Sequence, residues 1–139
     1  MVVIDAEGAI IGRLGARVAK LLLAGQQVEI INADKALMSG SLTSSKEKFM
    51  SRRSQKNKRN PDESPKWPRV PNMLLRRMIR GMLPFWSQRG RDAYKRLHVT
   101  VGTPTDTGKA QRIAEASSEH KHRCFKLSEL CKEVGGREI

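Results

Sequence analysis

Cysteine is almost missing from this chain: Cys124 and Cys131 are the only two in 139 residues. Two cysteines exclude a disulfide framework and fit a reducing compartment. Long apolar runs are missing too. Residues 19–25 form one of the longest and are interrupted by Lys20, far short of the roughly 20 residues that span a bilayer. The opening Met-Val-Val-Ile-Asp lacks the basic start and apolar middle of a secretion signal, so the expected setting is the soluble interior of the cell. Acids are scarce as well, with 14 Asp and Glu against 27 Lys and Arg, a formal net charge of +13. A surface so unbalanced repels itself until a polyanion neutralises it. Acidic membranes attract basic segments, but holding on needs an apolar anchor or a strongly amphipathic basic helix. The basic run here is polar on every side, which leaves nucleic acid as the expected partner and no membrane.

The charge that is present is concentrated. Residues 46–96 hold sixteen Lys and Arg against four acids, a net of +12, so the rest of the chain is nearly neutral. A chain of this length is expected to form one domain spanning 1–139, with residues 41–71 as a basic helix and extended segment within it. Val2, Val3 and Ile4 make a short continuous apolar run, and residues 28–31 make another, as for strands covered on both faces. Between them Ile11, Leu14, Val18, Leu21 and Leu22 follow helical spacing, with Arg13, Arg17 and Lys20 on the opposite face. A right-handed crossover makes the two strands parallel, and residues 35–40 add a short strand or turn beside them. The pattern opens an α/β domain.

Residues 41–71 then stop looking like core. Ser44 with Glu47 reads as a capping box for a helix running to Arg59, with only Phe49 and Met50 as apolar anchors. Pro61, Pro65, Pro68 and Pro71 favour an extended path around Trp67, one suited to lying along a groove. Met73, Leu74, Leu75, Met78 and Ile79 with Arg76, Arg77 and Arg80 read as an amphipathic helix ended near Gly81. Residues 90–96 allow one more basic turn, and Leu97, Val99 and Val101 alternate as a strand. Residues 109–116 read as a helix, and residues 127–134 as another stopped by Gly135.

Sites for chemistry are weak. Gly8, Gly12 and Gly15 lie where a dinucleotide fingerprint belongs, but the first gap holds three residues instead of one, and close approach of the helix to the sheet explains Gly12 and Gly15 better. Gly108 and Lys109 are followed by Ala110, which breaks any phosphate-loop pattern. His120, His122, Cys124 and Cys131 carry zinc-type donors in a spacing that matches no usual frame, so a basic loop and a helix-buried Cys131 are the expectation. His98 has no nucleophile partner. Asp5, at the end of the first strand, serves equally as a catalytic carboxylate or as a cap for the following turn. Asp62 and Glu63 sit side by side in an extended loop and moderate the surrounding charge. Trp67, Phe85 and Trp86 lie among cations; Trp67 is as well suited to stacking on a base as to wedging into the domain, whereas packing is favoured for Phe85 and Trp86.

Several stretches carry a resemblance. Ile79-Arg80-Gly81-Met82-Leu83-Pro84, followed by Arg89-Gly90-Arg91, Ala93, residues 97–99 and Gly102, resembles the signature of the universal large-subunit ribosomal protein family numbered thirteen. Val3-Ile4-Asp5-Ala6, Gly12-Arg13-Leu14, residues 31–36 and Ser39-Gly40 resemble the same family in the same order, and residues 65–68 and 127–130 its archaeal and eukaryotic branch. The chain departs from the family pattern at Phe85-Trp86 and at Thr100. The resemblance implies a three-layer α/β/α fold with a small, mainly parallel sheet, like a Rossmann fold without its nucleotide site. It also implies a non-enzymatic role with no cofactor and no small-molecule substrate, bound to large-subunit ribosomal RNA and neighbouring ribosomal proteins in the cytoplasm. The residues expected to touch RNA are Arg13, Arg17, Lys46, Lys48, Arg52, Arg53, Lys56, Arg59, Trp67, Arg69, Arg76, Arg77, Arg80, Arg89 and Arg91. Arginine predominates because its planar fork can hold or bridge phosphates.

Overall fold

The computed structural model describes residues 1–103, 110–113, 116 and 123–136. Strand β1 (Val2–Asp5) leads into helix α1 (Ile11–Leu23) and returns as β2 (Val28–Ile31), parallel to β1 with Ile4 opposite Ile30. β4 (Leu97–Val99) extends the sheet beyond β2 and β5 (Gln111–Arg112) extends it beyond β1, giving the order β4-β2-β1-β5 with every pairing parallel. The central strands must be apolar on both faces, and Ile4, Val28 and Ile30 are all but fully buried. From α1 they receive Leu14, Val18 and Leu22, none of which is exposed, while Arg13, Arg17 and Lys20 face out. Burying each such side chain stabilises the fold by about 1.5–3 kcal/mol. The architecture is the expected three-layer α/β/α class.

Residues 33–40 depart from the expected extension of this sheet. A single 3-10 turn (Ala33–Lys35) precedes β3 (Leu37–Ser39), which pairs antiparallel with β6 (Cys124–Lys126) in a second, two-stranded sheet. Asn32 makes the turn with φ 54, a left-handed conformation that Asn tolerates better than most residues.

Helix α2 (Leu42–Ser54) begins one turn before the expected capping box, so Ser44 lies inside it and Ser41 stands at its N-cap without a capping side-chain hydrogen bond. Leu42 packs on the core, and that contact decides the start where local capping does not. The helix also stops at Ser54 rather than Arg59. Asn57 takes over the backbone there: its Oδ1 accepts from the amides of Arg59 (3.1 Å) and Asn60 (3.3 Å), and its own amide donates to Ser64 Oγ (2.9 Å). Such local bonds compete with helix continuation. Pro61–Glu63 is a 3-10 turn rather than part of the expected extended path, and the carboxylate of Glu63 accepts from Asn57 and Asn60.

Helix α3 (Pro71–Arg80) starts at the last proline of the run, since proline at the first helical position loses no intrahelical bond. It buries Leu74, Leu75 and Ile79, whereas Met73 is exposed. The expected basic turn is a full helix, α4 (Gln88–Lys95), because Ser87 Oγ caps it by accepting from the Gly90 amide at 3.2 Å. Gly90 is required in a tight place: a Cβ there would lie 2.0 Å from the Pro84 carbonyl oxygen. The helix expected over residues 109–116 is corrected, since Gln111 and Arg112 are the short strand β5; Lys109, Ala114 and Glu115 lie outside the described residues. Helix α5 (Leu127–Glu133) ends as expected at Gly135, which has φ 80.

Candidate nucleic-acid interface

Gly12 has open space where a Cβ would be, so it does not draw the helix onto the sheet. Gly15 does permit a close approach, though of Met82 rather than the sheet: its Cβ would lie 2.7 Å from Met82 Sδ. Asp5 is buried, and its carboxylate accepts from Asn32 Nδ2 (2.9 Å), the Glu7 amide (3.0 Å) and Arg112 Nε (3.0 Å). Burial by itself pushes the Asp5 carboxyl up, but these donors outweigh it and hold it below the usual carboxylate range. The turn-capping role is therefore the one it fills, and Arg112, delivered by β5, occupies the end of β1. The second carboxylate there, Glu7, pairs with both Lys35 and Arg112. Burial pushes the Cys131 thiol up to about 11, as for an inert packed thiol. No group of three metal-binding side chains occurs among the described residues; His120 and His122 lie outside them. His98 is exposed on β4.

The basic residues divide by what their charge faces. On α1, Arg13 and Arg17 line a shallow groove with Ala16 and Lys20. On α2, Lys48 points out without an ion pair or side-chain hydrogen bond among the described residues, and Lys56 and Arg59 follow in the exposed loop. Lys58, in the same loop, has the same exposure and belongs with them, although it was not among the expected contacts; its place in the same cationic run was the available signal. Lys46 instead pairs with Glu133 at 2.6 Å, tying α2 to α5.

A second group turns inward. Trp67 packs edge-on to Phe49 with ring centroids 5.6 Å apart, and the guanidinium groups of Arg77 and Arg52 lie 4.0 and 4.9 Å from its ring centroid. Arg53 donates to the Trp67 carbonyl, Arg77 to the Lys66 carbonyl (2.9 Å) and Arg69 to the Gly135 carbonyl (3.2 Å). The proline-rich segment thus has anchors within the protein itself. Burial lowers the pKa of Arg53 and Arg77, helped by Arg69 in the first case and by Arg80 and Arg52 in the second, yet a guanidinium keeps its charge. Arg89 reaches the Leu23 carbonyl at 3.4 Å, and Arg91 the Trp86 carbonyl and Gln88 Oε1. Arg76 lies 4.7 Å over Tyr94 and Arg80 4.9 Å over Phe85.

Wedging is therefore the role Trp67 takes in the protein alone, and Phe85 packs against Tyr94 as expected. Trp86 does not pack: it is 84% exposed. Arg96 was missed because its work is structural, donating from Nη2 to the Leu22 carbonyl at the end of α1. At the departure Thr100, the hydroxyl bonds the Ile30 carbonyl at 3.2 Å, giving a small polar residue a place beside β2.

A parallel α/β scaffold, its strand-end carboxylate occupied by arginine and its surface strongly cationic, defines a basic scaffold protein. Comparison with known proteins makes the assignment particular. The family model "Ribosomal protein L13" matches residues 1–106. The chain is 41% identical to the large ribosomal subunit protein uL13 of Methanopyrus kandleri, covering 96% of this chain and 86% of that one. It is 40% identical to the uL13 of Methanocaldococcus jannaschii and 37% identical to that of Methanosarcina barkeri, over 99% of both chains in each case. The chain belongs to the ribosomal protein L13 family, and is accordingly a structural protein of the large subunit of the cytoplasmic ribosome, of archaeal type, and not an enzyme.

Proposed function

We propose that the protein binds and clamps large-subunit ribosomal RNA, supports assembly of the subunit and through it translation, and packs against neighbouring ribosomal proteins. The observation that carries this reading is the net charge of +12 on residues 46–96, against +1 on the rest of the chain, with α2 and the exposed loop after it as the basic flank. Neutralising that flank with phosphates releases condensed counterions, so affinity falls steeply with salt. Arg17, Lys48, Lys56 and Arg59 are the direct phosphate contacts, joined by Arg13 on the α1 face. Arg52, Arg53, Arg69, Arg76, Arg77, Arg80, Arg89 and Arg91 play a double part, because five donors on one guanidinium allow it to hold a protein carbonyl or ring and still face a phosphate. Lys46 contributes through its exposed ion pair, and Trp67 by ordering the segment that carries Lys66 and Arg69. Recognition rests on RNA shape and unpaired elements, since the A-form major groove is too narrow for side chains to read. Residues 1–139 act as one unit in this role, with 41–71 as its RNA-facing extension.

Sedimentation of a cell extract through a gradient at moderate and high salt tests the reading. The expected result is co-migration with large subunits that survives moderate salt. Recovery only among free proteins overturns it.

A further inference from the structure

A groove of about 510 Å³ lies between α2, β3 and the end of α3. Its apolar surface comes from Met38, Phe49, Met78 and Met82, with Trp67 beside them. Its cations are Lys48, Arg52 and Arg77, and no acid among the described residues lines it. Met82 is 41% exposed there although its sulfur packs over Gly15, so apolar surface is left facing solvent in the most basic part of the molecule. We propose that this groove receives one unpaired RNA base, with the adjoining phosphate held by Lys48 and Arg52. The inference rests on the RNA-binding reading above and deepens it.

The chemistry of the lining selects that occupant. Thioethers are polarizable and adapt their shape, and they make favourable contacts with aromatic rings, so three of them form an accommodating surface for a flat base of any identity. The guanidinium planes of Arg52 and Arg77, already held 4.9 and 4.0 Å from the Trp67 ring, supply the stacking surface on which splayed-out bases are commonly held. Ser39 and Ser45 add hydroxyls that both donate and accept, suited to the edge of a base without fixing which base it is. The volume lies within the range of about 300–1,000 Å³ usual for small-ligand sites, and a duplex hides the base faces that such a groove needs. A protein segment seated here would have to bring acids to meet three cations, whereas a nucleotide brings its phosphate with it.

The test is the affinity of the full-length chain for a large-subunit ribosomal RNA transcript, measured across a salt series. Ser45→Trp fills the groove and is expected to weaken binding about tenfold, the scale of losing one stacked base, with the slope against salt unchanged because no cation is lost. Met82→Ala is expected to act in the same direction, less strongly. Lys48→Ala is expected to reduce the slope by about 0.7–0.9. Thermal melting checks the fold of each variant, and Met82→Ala carries the test if Ser45→Trp does not fold. If both folded variants bind the transcript as the unaltered chain does, the groove proposal is overturned while RNA binding stands. If they bind RNA normally yet fail to enter subunits in cells, the occupant is a neighbouring protein and the proposal is again overturned. If the unaltered chain does not bind the transcript, it is the RNA-binding reading that fails.

Discussion

The α/β body and the basic flank hold themselves together by different means. In the body, apolar side chains are buried from both sides of the sheet, and at the strand ends Asp5 and Glu7 are neutralised by Lys35 and Arg112. In the flank, α2 buries only Phe49, and the chain after it is held by arginines donating to carbonyls of residues 66, 67 and 135. A core is complete without a ligand. A shell of cations on carbonyls is not, because each guanidinium that bonds the backbone remains positive and repels its neighbours until an anion arrives. The difference teaches that much of the positive charge here serves the protein's own shape as well as its partner.

The largest effect expected from breaking this contrast lies in the body. Leu97 is fully buried on β4, and Leu97→Ala is expected to cost about 2–5 kcal/mol in chemical denaturation, lowering RNA affinity only as far as the protein unfolds. The flank should respond in the opposite sense. Replacing Lys48, Lys56 and Arg59 together by alanine is expected to leave stability within about 0.5 kcal/mol, because none of the three has an ion pair among the described residues. Its signature is a slope of log affinity against log salt reduced by about 2–2.7, measured by filter binding. A large loss of stability in that triple variant would erase the distinction between the two regions.

How much of this was legible follows the same division. In the body, β1, α1 and β2 were readable almost to the residue, since hydrophobic periodicity is what packs them and periodicity is written locally. Ile11, Leu14, Val18 and Leu22 announce their face without reference to anything distant. Placing β3 was not legible, because its partner β6 lies far along the chain and no local pattern distinguishes pairing with β1 from pairing with Cys124–Lys126. The two-residue β5 carries too few positions to show any period. In the flank the cations were legible as charge but not as geometry. Nothing in a run of arginines tells which will meet a carbonyl, and the Ser44–Glu47 pair imitated a helix start that tertiary contact at Leu42 overrode.

Acid titration sharpens the comparison next. Asp5 has its pKa held below the ordinary value, so the stability it contributes is fully present above the unfolded pKa near 4 and is lost as pH falls through the lower folded value. Asp5→Asn is expected to cost about 2 kcal/mol at pH 7, the scale of hydrogen bonds to a charged acceptor. The penalty should shrink as pH falls below 4, where the unfolded chain takes up its proton first and the native carboxylate follows at its lower value. Thermal melts at pH 7 and pH 3 check this, and an equal penalty at both would mean that shape rather than charge is what Asn32 and Arg112 recognise.

The smallest effect, and the one that isolates the flank's own mode of attachment, is expected for Arg77→Lys. The net charge is unchanged, so the salt dependence of RNA binding should stay as it is. What is lost is the planar fork that donates to the Lys66 carbonyl while lying 4.0 Å from the Trp67 ring, a combination an ammonium does not reproduce. A stability loss of about 1 kcal/mol is expected, the size of one ordinary hydrogen bond. Limited proteolysis of the free protein should then cut faster within residues 56–66, and bound RNA should restore protection, because phosphates fix that stretch from the other side. Unchanged cleavage in the variant would mean that Arg53 and Arg69 suffice to hold the proline-rich segment, and that the charge of Arg77 is directed chiefly outward.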